Sequence, residues 1–401
     1  MRIVLLCLLA VSSTAQADTV DFIEDAKLLY RVAACGGGEV DTRLTKIVER
    51  HCKLITERLE KFRAEYFGKH REWFASVVPK DAPKTVVYPF GGGDLLSALV
   101  AFPEATEVTT ISLELAGDPR RLRKLTPRAV ELSLGALRGE IGGLISVDSN
   151  TTENLSAGQK NELPAQVSSF LLGLVAGGYE PVSMRYFTLD DAGNIDYLDQ
   201  AEIDAFDKEA AAKRAKLKKL RAKQAAATPA GEPPPKPKHD WQSPNFSLAF
   251  SNVEIQYRKI GETQLRVHRH IGWNLGDAYL KKNPQLLRHL EKKGHVTMLV
   301  KGASYLLWQP HFSLVRGYIL DHLKWMLSDS TGVPPAFAKP AGMVQETYGV
   351  YTGAFLEGMQ ATRHDEDFIE LWQKQKKRRL AFRFGYVDAN KQAHLVVTRP
   401  R

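Results

Sequence analysis

Six polar residues, Asp94, Glu114, Lys301, Ser304, Tyr305 and Asp329, gather at predicted strand ends, with Ser330 next to the last of them. Two carboxylates beside one lysine can do acid and base work in a water-filled cleft, Asp94 as general base and Lys301 as its electrostatic partner. The same three groups can instead hold the fold together as an ion pair, and that structural version is favoured. Asp94 and Lys301 therefore stand as candidates, and the catalytic residue is otherwise unassigned.

More specific chemistries fail at identifiable positions. Gly91, Gly92 and Gly93 could open a nucleotide or S-adenosylmethionine site, with Glu114 about 20 residues on to take ribose hydroxyls. The third glycine of that pattern would fall at position 96, which is Leu96, so no cofactor is expected. Asp329-Ser330-Thr331-Gly332 has the letters of an aspartic protease, but it occurs once, and an amphipathic helix over Phe312–Leu327 is predicted where that chemistry needs a strand. A turn and capping role for Asp329, Ser330 and Gly332 is expected instead. Ser304 lacks the second glycine of a nucleophile elbow, since position 306 is Leu306. His268 and His270 share one strand face without a third ligand nearby, and His51 lacks companions too. No metal site is expected, and the two strand histidines read as exposed.

The stretch that must position these groups is Val86–Leu115. A β-branched apolar run stops at three glycines, Asp94 caps an apolar helix, and Pro103 precedes a second β-rich run ending at Glu114. This is a β-α-β unit. Ligands of such sheets sit beyond the carboxyl ends of the strands, so the Gly91–Asp94 loop and Glu114 should face one crevice. Asp18–Ala34 and Val40–Val78 read as two helices packing on the sheet. Hairpins are predicted over Val182–Leu198 and Phe246–Trp273, a buried strand over Val296–Ser304, a strand over Met343–Tyr351, and a closing hairpin of Leu380–Val387 with His394–Thr398. Asp118-Pro119 starts a helix whose Arg120, Arg121, Arg123 and Lys124 read as a solvated face rather than an anion site. Asn150 and Asn154 open glycosylation patterns that would matter only in a eukaryotic secretory host. The expected fold is α/β, a Rossmann-like three-layer sandwich with a mostly parallel sheet, antiparallel hairpin additions and an N-terminal helical pair. It divides into a helical segment at 18–80, a first part of the α/β domain at 81–199, an insertion at 200–240 and a second part at 241–401.

Composition addresses compartment and partners. Met1-Arg2, the apolar run Ile3–Val11 and the ending Ala15-Gln16-Ala17 read as a signal peptide over 1–17 cleaved after Ala17. No later run reaches the length of a membrane span. A periplasmic product, not membrane-spanning, is expected. Cys35 and Cys52 would then meet an oxidising environment, and Cys52 lies on the helical stripe Leu44, Val48, Cys52, Ile55, Leu59, so a disulfide is the default reading. Of the net charge of +9, Lys208–Lys223 holds eight basic residues and one acid. The remainder is nearly neutral and carries no general footprint for nucleic acid. Asp199–Ala227 reads as an exposed charged helix without an apolar stripe, and Thr228–His239 as a stiff proline-rich linker. This insertion is either a mobile surface element, the favoured reading, or a dock for an anionic surface such as a phospholipid face or cell-wall polymer.

Tyr88-Pro89-Phe90-Gly91-Gly92-Gly93-Asp94, Phe102-Pro103, Leu113-Glu114, Lys301-Gly302-Ala303-Ser304-Tyr305-Leu306-Leu307, Asp329-Ser330-Thr331-Gly332-Val333-Pro334, Tyr348-Gly349-Val350-Tyr351 and Phe384-Gly385-Tyr386 together resemble an uncharacterised family of exported bacterial α/β proteins. The resemblance runs from about Val86 to the C-terminus, apart from the insertion, and implies bacterial origin and export without assigning an activity. The chain departs from the family pattern in its third glycine before Asp94 and in Ser328-Asp329-Ser330-Thr331-Gly332. The expected function is an envelope protein binding an unknown ligand or partner, without turning it over, at Gly91, Gly92, Gly93, Asp94, Glu114, Ser304, Tyr305, Asp329 and Ser330. The alternative is a hydrolase or transferase acting there on an envelope glycan or lipid.

Overall fold

The computed structural model describes residues 19–64, 68–145, 163–227, 247–329 and 331–401. The signal segment, Asn150, Asn154, Ser330 and the proline-rich linker lie outside the described residues. Ten strands among the described residues build one sheet: β1 (Thr85–Tyr88), β2 (Glu107–Ser112), β3 (Tyr179–Leu189), β4 (Ile195–Tyr197), β5 (Asn252–Lys259), β6 (Leu265–Gly272), β7 (Val296–Val300), β8 (Leu323–Ser328), β9 (Met343–Gly349) and β10 (His394–Pro400). Their order is β4-β3-β5-β6-β2-β1-β7-β8-β10-β9. The central run from β6 to β8 pairs parallel throughout. The five remaining pairings, on both flanks, are antiparallel. The chain is therefore α/β with a mixed sheet, which corrects the expectation of a mostly parallel one. Strands joined by tight turns, as in β3–β4 and β5–β6, can only pair antiparallel, and such pairs flank a short parallel centre.

The central strands are buried on both faces. Val86 and Tyr88 point into one core, shared with helices Ile23–Val32, Leu95–Ala101 and Ala165–Gly177. Val87 points into a second, shared with helices Gln285–Glu291 and Ser313–His322. From β1 the chain passes through Leu95–Ala101 to β2 on one side, whereas from β7 it passes through Ser313–His322 to β8 on the other. The connections thus diverge between β1 and β7.

Four expectations are corrected. The apolar run after Phe312 is a helix only as far as His322, and Leu323–Ser328 is a buried parallel strand. No glycine or proline separates the two, and Trp325-Met326-Leu327 fits a helical stripe as well as a buried strand, so periodicity alone could not place the break. Leu380–Val387 forms no strand, and β10 lies between β8 and β9. His268 and His270 are buried, because β6 lies inside the sheet and Phe170 of helix Ala165–Gly177 covers them at ring distances of 4.4 and 5.1 Å. The predicted helix over Val40–Val78 begins at Thr45 rather than Val40, and its described parts include Thr45–Phe62 and Gly68–Val77.

Cys35 and Cys52 stand at disulfide distance, their Cα atoms 5.3 Å apart and their positions 17 residues apart. A cross-link closing a loop of that length removes unfolded-state entropy worth about 3 kcal/mol. Cys52→Ser should accordingly lower stability by about that amount in urea denaturation, and reduction of the native protein should reproduce the shift. Equal midpoints for the oxidised protein and the serine variant would show that the pair contributes nothing.

Candidate functional site

The carboxyl ends of β1, β2, β7 and β8 share one edge of the sheet, because these strands are parallel. Asp94 ends the glycine turn after β1 and caps helix Leu95–Ala101, its Oδ1 accepting from the Ser97 amide at 3.1 Å. Its Oδ2 accepts from Lys301 Nζ at 2.7 Å and from the Tyr88 hydroxyl at 3.1 Å. Lys301 arrives from the end of β7 and also donates to Ser97 Oγ at 2.8 Å. Its ammonium lies 5.1 Å from the centre of the Phe384 ring, close enough for a cation–π contact. The pair is nearly buried and spans the place where the connections diverge, the usual ligand position in open α/β sheets.

Asp329 follows β8 and is fully buried. Oδ1 accepts from Ser304 Oγ at 2.8 Å, from Thr331 Oγ1 at 2.5 Å and from the Thr331 amide at 3.2 Å. Oδ2 accepts from the amides of Gly302 at 3.0 Å and Tyr386 at 3.2 Å. Five donors from three segments saturate the carboxylate, and Ser304 is buried against Thr331 as well. Asp329 and Ser304 are both fully buried, so neither offers an open approach for chemistry. A strand does precede Asp329, which removes one of the two grounds against an aspartic protease; the other stands, since the motif occurs once. The turn role expected for Asp329 agrees with its bonds, which tie the Gly302, Thr331 and Tyr386 turns together.

Glu114 stands at the same edge but on the β6 side of β2. Its carbonyl accepts from His270 Nε2 at 2.9 Å, and a Cβ added at Gly272 would lie 3.3 Å from that oxygen. No hydrogen bond joins its carboxylate to Asp94, Lys301 or Asp329. The acid–base trio does not assemble: Lys301 pairs with Asp94 alone. Tyr305 is half-buried in the turn Ala303–Trp308. The cluster after Asp118 is occupied too, Arg120 by Asp118 at 2.8 Å and Asp207 at 3.0 Å, and Arg123 by Asp25 at 2.5 Å.

The residues that sequence reasoning missed lie in helix Ala165–Gly177. Its start is wedged between the two predicted loops: the Val167 amide donates to Ala116 O at 3.2 Å, while a Cβ at Gly93 would lie 2.9 Å from Gln166 Oε1 and 3.1 Å from Ser169 Cβ. A side chain at Gly93 would have to displace the Gln166 amide and crowd Ser169. Gln166, Ser168 and Ser169 are buried, and neither atom of the Gln166 amide nor either hydroxyl has a hydrogen-bond partner among the described residues. Such groups cost roughly 1–3 kcal/mol each when left unmatched. Three polar residues inside an otherwise apolar helix were the signal available.

No family model, curated protein or solved structure matches this chain. Among the described residues no cluster of three His, Cys, Asp or Glu could hold a metal ion, and no helix is long and apolar enough to cross a membrane. Asp94 and Lys301 are thus matched to each other and Asp329 to backbone amides and hydroxyls, whereas among the described residues the neutral Gln166, Ser168 and Ser169 groups beside the glycine turn have no such partner.

Proposed function

We propose that this protein binds an uncharged, hydroxyl- or amide-bearing ligand of the bacterial envelope beside the Gly91–Asp94 loop, without chemical conversion. The observation that carries this reading is the unmet hydrogen-bonding capacity of Gln166 and Ser169 next to Gly93. Buried polar groups are ordinarily matched, so an unmatched cluster at the carboxyl edge of an α/β sheet fits a partner supplied from outside. The Asp94–Lys301 pair would present a locally neutral wall, suited to hydroxyls rather than to a charged group. The finer fold reading, a Rossmann-like three-layer sandwich with its ligand at the divergence of β1 and β7, belongs to the same proposal and draws on the helices covering both faces. Export to the periplasm, and membership of the exported bacterial family, are further parts of it; the Cys35–Cys52 pair suits an oxidising compartment.

Titration calorimetry with soluble N-acetylated glycan fragments is the direct test. The wild type should bind, and Gln166→Leu with Ser169→Ala should weaken binding at least tenfold while leaving stability equal or higher. Apolar replacement of an unmatched buried group removes its desolvation cost, whereas a merely structural hydrogen-bonding group would lose stability on replacement. Unchanged affinity in the double variant would refute the site. The hydrolase or transferase alternative draws on Ser97 Oγ, 2.8 Å from Lys301 Nζ; product release in the same experiment, abolished by Asp94→Asn, would favour it.

A further inference from the structure

Within helix Gln200–Ala227, Lys208–Lys223 holds eight basic residues and one acid, +7 of the molecule's net charge of +9, and the groups about the glycine turn use none of it. The helix is seated at its start: Ile203 and Ala210 are buried, Phe206 is half-buried, and Asp207 meets Arg120 at 3.0 Å. Those apolar residues, three and four positions apart, are a short stripe where none was expected. Past Ala210 the character changes. Every side chain described there is exposed except half-buried Leu217, and the helix continues for roughly 25 Å at 1.5 Å per residue.

Lys208, Lys213, Arg214, Lys216, Lys218, Lys219 and Lys223 are all exposed. At 3.6 residues per turn they fall on every side of the helix and leave no uncharged stripe wider than about 100°. Glu209, 2.6 Å from Lys213, is the sole acid within Lys208–Lys223. Lys213 and Lys216, Arg214 and Lys218, Lys216 and Lys219, and Lys219 and Lys223 stand three or four apart, where like charges repel. Such a helix gains most from an anion that reaches all its sides at once. A flat bilayer meets one side only and finds no apolar stripe to take up. A flexible chain can wrap round. The helix has no aromatic residue after Phe206, so nucleic-acid bases would find nothing to stack on.

We propose that the exposed part of this helix binds a flexible phosphate-bearing polymer that wraps around it and is recognised by charge alone. The inference draws on none of the groups about the Gly91–Asp94 loop and does not depend on the function proposed there.

The test uses the full chain with long-chain inorganic polyphosphate as the probe. Binding should fall steeply with salt, with a log–log slope of about −5 for seven contacts and roughly a thousandfold loss between 50 and 200 mM. The combined variant Lys213→Gln, Lys216→Gln, Lys218→Gln, Lys219→Gln should bind at least a hundredfold more weakly at low salt and bring the slope to about −2. Its helix content and unfolding midpoint should not change, since glutamine matches lysine in helix propensity. Phosphatidylglycerol vesicles and single-stranded oligothymidine of equal phosphate content serve as competitors. Tighter binding to the vesicles would transfer the surface to a membrane, and tighter binding to oligothymidine would mean that bases contribute. Either result, or a variant that binds polyphosphate like the wild type, overturns the proposal.

Discussion

Between pH 6.5 and about 4.5 the protein should lose stability at on the order of 4 kcal/mol per pH unit, enough to unfold an ordinary domain near pH 5. The cause is a set of histidines whose burial outweighs whatever negative charge lies near them. Burial lowers His51, His270 and His289 to about 4. It lowers His268 well below its usual range, and His394 as well, although the Asp329 and Asp388 carboxylates pull the latter the other way. An unfolded chain takes up these protons near pH 6.5, whereas the folded one resists until about pH 4. The stability is therefore complete above pH 6.5 and drains away as the pH falls. Each such histidine adds about 1.4 kcal/mol per pH unit at the middle of that window. Asp365, whose carboxyl is raised by burial, returns a little stability in acid, while Glu107, held down to about 2 by Lys293 and Arg269 against its own burial, adds to the loss below pH 4.5. Urea midpoints at pH 7, 6 and 5 measure the slope. His289→Asn, whose amide can replace the contact of Nδ1 with Gly193 O, should flatten it by about 1.4 kcal/mol per pH unit. A midpoint that stays constant from pH 7 to 5 would mean these histidines are protonated in the fold.

The parts of the site legible in the sequence are those made by near neighbours. Asp94 and its partner Ser97 are three residues apart, so the cap could be read from the chain, as could the turn after Tyr88. The partners that decide the chemistry are distant: Lys301 is 207 residues from Asp94, and Tyr386 is 57 from Asp329. No local pattern encodes those meetings. The β3–β4 and β5–β6 hairpins were legible for the same reason as the cap, since their turns lie in the chain. β8 was not, because a helix runs straight into a strand at Leu323 with no breaker between. The burial of His268 and His270 depends on which helix covers β6, and alternation along the strand says only that they share a face. Gln166 and Ser169 were legible as oddities in an apolar helix, but their lack of partners could be seen only once Gly93 was placed against them.

Replacing Asp329 by alanine should cost about 4 kcal/mol or more, the largest single-residue effect at this edge of the sheet. The side chain is fully buried and its charge is balanced by five hydrogen bonds, three from backbone amides. Alanine leaves those amides without an acceptor in a space that the surrounding turns have closed, and each unmatched buried donor costs roughly 1–3 kcal/mol. Ser304→Ala removes one hydroxyl and leaves the amides satisfied, so it should cost only about 1 kcal/mol. Asn at 329 should fall between them, because its NH2 group must face donors on one side. The turns cannot simply close over the gap. Gly385 has φ +81°, and a Cβ there would already stand 2.8 Å from Asp329 Oδ2, so this glycine is fitted to the carboxylate it touches. Asp329 also reaches Asp94 at second hand, since it holds the Gly302 amide next to Lys301, which pairs with Asp94 and lies against the Phe384 ring two residues before Tyr386. Asp329→Ala should therefore weaken glycan-fragment binding along with the fold, whereas Ser304→Ala should leave binding intact. A loss below 1 kcal/mol for Asp329→Ala in urea denaturation would show that water replaces the carboxylate and that the turns after β7 and β8 are held by packing alone.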